Sequence, residues 1–211
     1  MYSKGLGDQK IPGVTNPYVY VGSWKTMFGW HKEDLDLYSI NYLHHGKPKF
    51  WYSVNLDDNE KFEDFMQSNF PEHFKRCNEF IRHKNTLVNP KVLIDHGIKM
   101  VKCLHNENEF MVSRAAAYHS GFNFGFNIAE AVNFALDDWL RIGNNVGYCK
   151  CINDSVAINM RVLYRSLGLK PEDFLREDQF PEKEYNPKVK YSRIFTTQRV
   201  EKSASSEPNT T

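Results

Sequence analysis

The sequence predicts a mainly β fold with short helices at its periphery. Residues 18–22 alternate tyrosine and valine, a pattern that predicts a β-strand. Residues 34–54 contain two further aromatic-rich runs on either side of a Gly-Lys-Pro turn at 46–48, which predicts a β-hairpin. Helical spacing is confined to short stretches, of which residues 58–69 and 155–167 are the clearest. A further helix is predicted to begin at Pro90, capped by Asn89, and to end at Gly97.

The composition is that of a globular protein with a single domain. The chain has 211 residues, of which 41% are hydrophobic and 14% aromatic. With 27 Lys and Arg against 26 Asp and Glu, charge gives no reason to expect nucleic-acid or anionic-membrane binding. No apolar run approaches the roughly 20 residues that cross a bilayer, and the N-terminus lacks the apolar core of a signal peptide. We therefore expect a soluble, intracellular protein whose four cysteines are metal ligands or buried thiols rather than disulfides.

A His-x-Glu pair at His31 and Glu33 is the first candidate for chemistry. On a β-strand, residues i and i+2 face the same side, so these two side chains can converge on one metal ion. With a second, distant histidine they would form the facial triad of non-haem Fe(II) oxygenases, which leaves three positions open for co-substrate and oxygen. By itself the pair favours a simpler interpretation, a strand with two polar residues facing water.

Two further features allow either packing or ligand binding. Tyr18 and Tyr20 share one face of their strand, as surface or core residues or as an aromatic wall for a quaternary ammonium group. Lys49 lies beside Trp51 on an apolar strand, where an unpaired ammonium is costly to bury. Its side chain either extends to water or meets a buried anion, such as a dicarboxylate co-substrate.

The cysteines indicate a second metal site. Cys77 and His83, together with Cys149 and Cys151, provide three thiolates and one imidazole, the donor set of a structural zinc ion. Unliganded buried thiols are the alternative. Cys103 is left over, and we expect it to be a buried thiol.

Several long stretches match a known protein family. They are residues 13–26, 30–43, 48–49, 51–52, 82–84, 118–119 and 121–123. Together they resemble the catalytic JmjC (jumonji) domain of histone-lysine demethylases, over about residues 13–169. Within that family the sequence is most similar to the subgroup that acts on trimethylated histone H3 and carries a structural zinc beside the catalytic iron.

The resemblance implies a double-stranded β-helix, which is a cupin-like jelly-roll barrel with metal bound in its mouth. It implies a strand at residues 128–134, where local propensity alone favours a helix over residues 128–140. It also divides the chain into an irregular lead-in at 1–12, a JmjC catalytic domain with a zinc-tied helical end at 13–169, and a polar, disordered tail at 170–211.

The resemblance further implies an iron site and a co-substrate pocket. The implied iron ligands are His31, Glu33 and His119. The keto-acid end of 2-oxoglutarate would chelate the iron, and Lys49, assisted by Asn41, would pair with its far carboxylate. Phe28 and Trp51 would wall this pocket.

A zinc site and a substrate pocket complete the implied set. The zinc ligands would be Cys77, His83, Cys149 and Cys151. The methyl-ammonium pocket and its entrance would be formed by Gly13, Tyr18, Tyr20, Lys84, Ala131 and Asn133. The implied activity is oxidative demethylation of methylated lysine on histone H3, in the nucleus and on chromatin, without a membrane or a nucleic acid as direct partner.

Two departures from the family pattern keep alternatives open. Residues 114–117 (Arg-Ala-Ala-Ala) replace an aromatic-Pro-aromatic-Gly run just before Tyr118 and His119, which removes rigidity from the segment that aims this histidine. The sequence begins only 30 residues before His31, without the family's jumonji-N segment and early barrel strands, so we expect it to be either a fragment of a longer protein or a degenerate paralogue. A catalytically impaired, chromatin-binding scaffold is therefore the main alternative function. Protein hydroxylation by the same metal chemistry is a third.

Overall fold

The structure is a computed structural model that describes residues 13–14, 16–149, 151 and 160–174. Its strands are β1 (Tyr18–Gly22), β2 (Met27–His31), β3 (Tyr38–Gly46), β4 (Lys49–Val54), β5 (Met100–His105), β6 (Phe110–Ser113), β7 (His119–Asn123) and β8 (Asn127–Phe134). Its α-helices are α1 (Asn59–Asn69), α2 (Pro71–Arg76), α3 (Pro90–Asp95), α4 (Trp139–Gly143) and α5 (Met160–Ser166). Short 3₁₀ segments lie at Asp34–Asp36, Leu56–Asp58, Phe80–His83 and Pro171–Asp173.

Within the described residues, the strands form two four-stranded antiparallel sheets. The first has the order β1-β8-β3-β6 and the second β2-β7-β4-β5. Successive strands enter opposite sheets at every step except from β4 to β5. This alternation is the winding of a double-stranded β-helix, so the predicted mainly β fold class is confirmed.

The predicted hairpin within residues 34–54 is wrong. Strand β3 pairs with β8 and β6, and β4 pairs with β7 and β5, so each strand has both of its edges occupied by other partners. Gly46 between them has φ +105°, which glycine adopts readily, and a Cβ there would overlap the carbonyl of Phe126. The turn therefore carries the chain from one sheet to the other instead of folding it back.

Several other local predictions are confirmed. Residues 128–134 lie in β8, where pairing to β1 and β3 on both sides outweighs their helix propensity. Helix α3 begins as expected at Pro90, with the Asn89 side chain accepting a 2.9 Å hydrogen bond from the Lys91 amide. Helix α5 covers the described part of the helix predicted at 155–167.

Parts of the predicted domain organisation lie outside the described residues. These parts are the lead-in at 1–12, residues 155–159 of the predicted helix, and the tail beyond 174. Phe174, near the start of the predicted tail, stacks on Tyr164 with ring centroids 4.7 Å apart. Among the helices that the structure describes, none combines the length and apolar character needed to span a membrane.

One hydrophobic core lies behind the strands that carry the candidate metal ligands. Trp30 on β2 packs against Phe62 on α1 with ring centroids 5.3 Å apart, and Phe62 packs against Tyr118 at 4.7 Å. All three side chains are almost fully buried, each contributing about 1.5–3 kcal/mol to stability. Helix α1 therefore holds together the ends of β2 and β7, where His31 and His119 lie.

Candidate active site

His31, Glu33 and His119 converge although they come from separate parts of the chain. His31 and His119 are paired in the β2–β7 register. Nε2 of His119 lies 3.3 Å from Oε1 of Glu33, and Nε2 of His31 lies 3.9 Å from the same oxygen. Strand β2 ends at His31, so Glu33 lies just beyond the strand and not on it as predicted. Its backbone stays extended, with φ −63° and ψ 155°, and its carboxylate still turns toward His31.

The hydrogen bonds of the two imidazoles leave their inner nitrogens free to bind a metal. Nδ1 of His31 lies 2.7 Å from the Gly29 carbonyl, and Nδ1 of His119 lies 3.0 Å from the Ala117 carbonyl. Because a carbonyl only accepts, each Nδ1 carries the proton and each Nε2 presents a lone pair. The three candidate ligand atoms lie within 4.8 Å of one another. Ligand atoms about 2.1 Å from a divalent ion, at right angles, are about 3 Å apart, so this set fits a metal ion.

The electrostatics of the cluster favour the protonation states that metal binding requires. Burial, followed by the positive potential of His119 and Lys84, lowers the pKa of His31 to about 3. Burial opposes ionisation of Glu33, but the adjacent imidazole of His119, followed by that of His31, brings its pKa below the usual range. His31 is thus neutral and Glu33 ionised near neutral pH, which are the forms in which these two side chains bind a cation.

A cavity of about 150 Å³ adjoins these ligands and is lined by both sheets. Lys49 lies in its wall, only 6% exposed, and its Nζ donates a 2.8 Å hydrogen bond to Oδ1 of Asn123. Burial lowers the Lys49 pKa to about 8, and no carboxylate of the described chain forms an ion pair with this ammonium. The alternative in which Lys49 extends to water is therefore wrong, and the site suits an anionic ligand.

Two other buried polar atoms in the cavity wall lack protein partners. Within the described residues, Oδ1 of Asn41 and Nε1 of Trp51 have no hydrogen-bond partner. Phe28 contacts Trp51 with ring centroids 4.7 Å apart, and Trp51 lies 5.7 Å from the His119 ring. Unpaired polar atoms beside aromatic walls are typical of a pocket completed by a ligand.

The residues implied for a methyl-ammonium pocket line the same cavity. They are Gly13, Tyr18, Tyr20, Lys84, Ala131 and Asn133. The tyrosine rings meet edge to face at 6.3 Å, and both side chains are nearly half exposed, so they lie at the mouth. Gly13 has φ +82°, and a Cβ there would lie 2.9 Å from the ring of Tyr18, which favours glycine at this position.

Sequence reasoning missed three residues of this region. Ser39 and Val132 also line the cavity, and Asn123 accepts the hydrogen bond from Lys49. Ser39 lies two residues before Asn41 on β3, so the period-2 rule would have placed both on the inner face. No local signal pointed to Asn123, because its partner is on a different strand.

The four predicted zinc ligands also lie together. Sγ of Cys77 is 3.7 Å from Sγ of Cys149, and Nε2 of His83 is 3.1 Å from the same sulfur, with Cys151 completing the group. Thiolates about 2.3 Å from a tetrahedral zinc ion would be about 3.8 Å apart, so the donor set fits zinc. The sulfurs are too far apart for a disulfide bond, which needs about 2 Å.

The thiols of the zinc cluster differ in acidity. Burial raises the pKa of Cys77 to about 12. The Cys149 pKa is lowered to about 7, since hydrogen bonds from the Cys151 amide and from His83 outweigh its burial. Cys149 is thus the first of these two to ionise. Cys103, expected to be buried, is exposed: it lies on β5, an edge strand paired only with β4.

The segment at residues 114–117 forms a tight turn that leads into β7. The Ala117 amide donates to the Arg114 carbonyl at 3.2 Å, and the Ala116 amide donates to the Asp36 carbonyl at 3.1 Å. Ala116 has φ +61°, a left-handed conformation that is unfavourable for alanine. The His119 imidazole nevertheless points toward Glu33 and His31.

Fold and site together define a jelly-roll protein in which two histidines and a glutamate form a candidate metal centre. A sequence profile described as "JmjC domain, hydroxylase" matches residues 18–134, more than half of the chain. The chain belongs to the JmjC domain family.

Three curated relatives are similar to most of this chain. Lysine-specific demethylase 4B of Mus musculus and lysine-specific demethylase 4D of Rattus norvegicus are each 45% identical over 157 residues, 74% of this chain. Probable lysine-specific demethylase 4F of Homo sapiens is 44% identical over 164 residues, 78% of this chain. The matched regions cover 14%, 31% and 25% of these relatives, respectively, so the chain spans less than a third of each.

Proposed function

We propose that this chain is an Fe(II)- and 2-oxoglutarate-dependent demethylase that acts on methylated lysine of histone H3. The observation that carries the proposal is the convergence of His31, Glu33 and His119 beside a cavity that contains the buried ammonium of Lys49. The names of the relatives describe lysine-specific demethylases, which supports the same reaction class. A histone substrate places the chain in the nucleus, on chromatin.

In this proposal the triad holds iron and the cavity wall holds the co-substrate. Bound iron, with dioxygen as oxidant and 2-oxoglutarate as the co-substrate that is oxidatively decarboxylated, would supply the chemistry that hydroxylates an N-methyl group, which would then be lost as formaldehyde. Lys49 pairs with the far carboxylate of 2-oxoglutarate, and the Asn41 amide offers it a hydrogen bond. Phe28 and Trp51 exclude water from the reacting atoms. Cys77, His83, Cys149 and Cys151 hold the structural zinc.

The mouth of the cavity suits a methylated ammonium group. A trimethylated lysine keeps its positive charge but has no N–H to donate, so ring faces and nearby negative charge recognise it better than a hydrogen-bond acceptor would. Tyr18 and Tyr20 offer the ring faces, and Glu33 lies close enough to raise the pKa of Tyr20, after the larger effect of burial. Gly13, Ala131 and Asn133 form the adjoining wall, with Lys84 at the entrance.

The deciding experiment is formaldehyde release from trimethyl-lysine H3 peptides by the iron-loaded chain. We expect turnover that requires both Fe(II) and 2-oxoglutarate and that disappears in His119→Ala. A peptide product that gains oxygen without losing a methyl group would indicate protein hydroxylation instead. Iron binding without any turnover would contradict the demethylase.

One observation favours the scaffold as a second candidate. Ala116 is held in a left-handed conformation three residues before His119, where strain could loosen the third ligand. A scaffold would bind H3 peptides with an affinity that Fe(II) and 2-oxoglutarate do not change. Peptide affinity measured with and without both groups distinguishes the two functions.

A further inference from the structure

A partly buried ion-pair network connects the two segments that carry the candidate metal ligands. Lys32 lies between the first two ligands in sequence, and its Nζ is 3.4 Å from Oε1 of Glu63 on α1. The same oxygen accepts a 2.7 Å hydrogen bond from the hydroxyl of Tyr118, the residue that precedes the third ligand. One carboxylate on a helix outside the metal cluster thus contacts both ligand-bearing segments.

The surroundings of this network strengthen its contacts. The Tyr118 side chain is almost fully buried against Phe62, and the Lys32 ammonium lies 5.1 Å from the Tyr118 ring centroid. The Lys32 side chain is only 14% exposed, so its ion pair is less screened than a surface pair.

A second set of contacts fixes the turn that carries Glu33. Arg82 donates a 2.8 Å hydrogen bond to the Glu33 carbonyl and a 2.7 Å hydrogen bond to Oδ1 of Asp36. The other Asp36 oxygen lies 3.2 Å from Nζ of Lys32. Lys32 therefore has two carboxylate partners, one on the turn itself and one on α1.

The need for such a network follows from the residues before β7. The segment leading to Tyr118 consists of three alanines, whose methyl groups can neither pair with charges nor form hydrogen bonds. Its backbone is anchored by Asp36 and by the Asn59 side chain, which donates a 2.8 Å hydrogen bond to the Ala116 carbonyl. Tyr118 is the nearest side chain before His119 with a polar contact to the rest of the site.

We propose that Lys32, Glu63 and Tyr118 are positioning residues that align His119 with His31 and Glu33 for metal binding. This inference rests on the proposed function, because it assumes that the triad binds a divalent ion. Glu63 thereby influences metal affinity, although it contacts none of the three ligand side chains. It acts through Lys32 and Tyr118, which are next to the ligands in the sequence.

The test is Mn(II) binding to the full, zinc-loaded chain, measured from the signal of free Mn(II) by electron paramagnetic resonance. Tyr118→Phe removes only the hydroxyl, and Glu63→Gln removes only the charge. We expect each to weaken Mn(II) binding about 10-fold and to shift the visible absorption bands of the Co(II)-substituted protein, which report ligand geometry. Lys32→Arg, which keeps the charge, should retain most of the affinity.

Tyr42→Phe is the matched control, because it also removes one hydrogen bond from a tyrosine hydroxyl. Tyr42 lies on the face of β3 that points away from the cavity, and its hydroxyl donates a 3.1 Å hydrogen bond to Oδ1 of Asn108. This variant should leave both the Mn(II) affinity and the Co(II) spectrum unchanged. The double variant Tyr118→Phe/Glu63→Gln should bind Mn(II) at least as weakly as the worse single variant, because Tyr118→Phe removes the hydrogen bond to Glu63 and Glu63→Gln removes the charge that pairs with Lys32.

The outcomes separate this inference from the function on which it rests. Wild-type affinity and an unchanged Co(II) spectrum in both Tyr118→Phe and Glu63→Gln would overturn the positioning role. A wild-type chain that binds no Mn(II) would overturn the proposed metal centre itself. If circular dichroism shows that Tyr118→Phe is unfolded, Glu63→Gln decides, because the Glu63 side chain is 36% exposed and tolerates a change of charge.

Discussion

Nε2 of His119, the first residue of β7, lies 3.3 Å from Oε1 of Glu33, which is in the turn that follows β2. His31 is paired with His119 in the same sheet, so strand pairing brings the two histidines together beside the carboxylate. Because both Nδ1 atoms donate to backbone carbonyls, each ring is held in an orientation that presents Nε2 to the centre.

Removal of one ligand should abolish metal binding while leaving the fold intact. In His119→Ala we expect at least about a 100-fold loss of Mn(II) affinity, because two ligands remain where three are needed. The measurement is a Mn(II) titration with formaldehyde release in parallel. His44→Ala is the control, since it removes a surface histidine that pairs with Glu130. Equal affinities in the two variants would contradict the triad.

Lys49→Met should separate stability from ligand binding. The buried ammonium lacks a carboxylate partner within the described chain, so its replacement should raise the melting temperature of the ligand-free protein. The same change should weaken 2-oxoglutarate binding about 100-fold, because one charge of a buried pair is lost. Calorimetry measures both quantities. Lys102→Met on the exposed face of β5 should change neither.

The affinity for 2-oxoglutarate should depend on pH through Lys49. Burial lowers its folded pKa to about 8, below the ordinary value of 10.5. The unfolded chain therefore binds this proton more tightly, so the cost to stability is fully present below pH 8 and is relieved as the pH rises from 8 to 10.5. Binding of the dianion needs the charged form, so affinity should fall above about pH 8.

Lys49→Arg provides the comparison for that pH profile. An arginine stays charged throughout this range, so the fall in affinity above pH 8 should disappear even if the affinity at pH 7 changes. The other titratable group beside Lys49 is His105, opposite it in the β4–β5 register, whose pKa burial lowers. His105 is neutral throughout this range, and an identical decline in Lys49→Arg would show that another group is responsible.

Sequence patterns correctly predict those elements whose structure depends on residues that are neighbours along the chain. The alternation at 18–22 and the Asn89 cap correctly predict β1 and α3. Pairing partners are not encoded locally, which is why the hairpin between β3 and β4 is wrong and why Asn123 was missed. Cys103 was misplaced for the same reason, because edge position is a property of the whole sheet.

For the site, the family resemblance predicts residues that no sequence spacing connects to the His-x-Glu pair. The His-x-Glu pair gave two ligands, but no periodicity linked them to His119 or Lys49, which lie on other strands. The iron, co-substrate and substrate residues implied by the resemblance all line one cavity, and the four implied zinc ligands lie in one cluster.

Zinc removal should destabilise the contact between the segment around Cys77, which precedes β5, and the segment around Cys149, which follows α4. Cys77 and Cys149 are buried and come from distant parts of the chain, so a shared ion would tie these parts together. Cys149→Ser should lower the zinc content from one equivalent to below half and should reduce the melting temperature by several degrees. Cys103→Ser, which changes an exposed thiol, should have neither effect. A zinc content that is unaffected by Cys149→Ser would contradict the assigned ligands.

The metal content of the anaerobically Fe(II)-loaded chain, determined by mass spectrometry with and without 2-oxoglutarate, tests the central claim most directly. We expect one zinc and one iron per chain, with iron retained better when 2-oxoglutarate is present. In His31→Ala the iron should be lost and the zinc kept. Iron that is absent from the wild-type chain, or bound equally by His31→Ala, would contradict a metal centre formed by His31, Glu33 and His119.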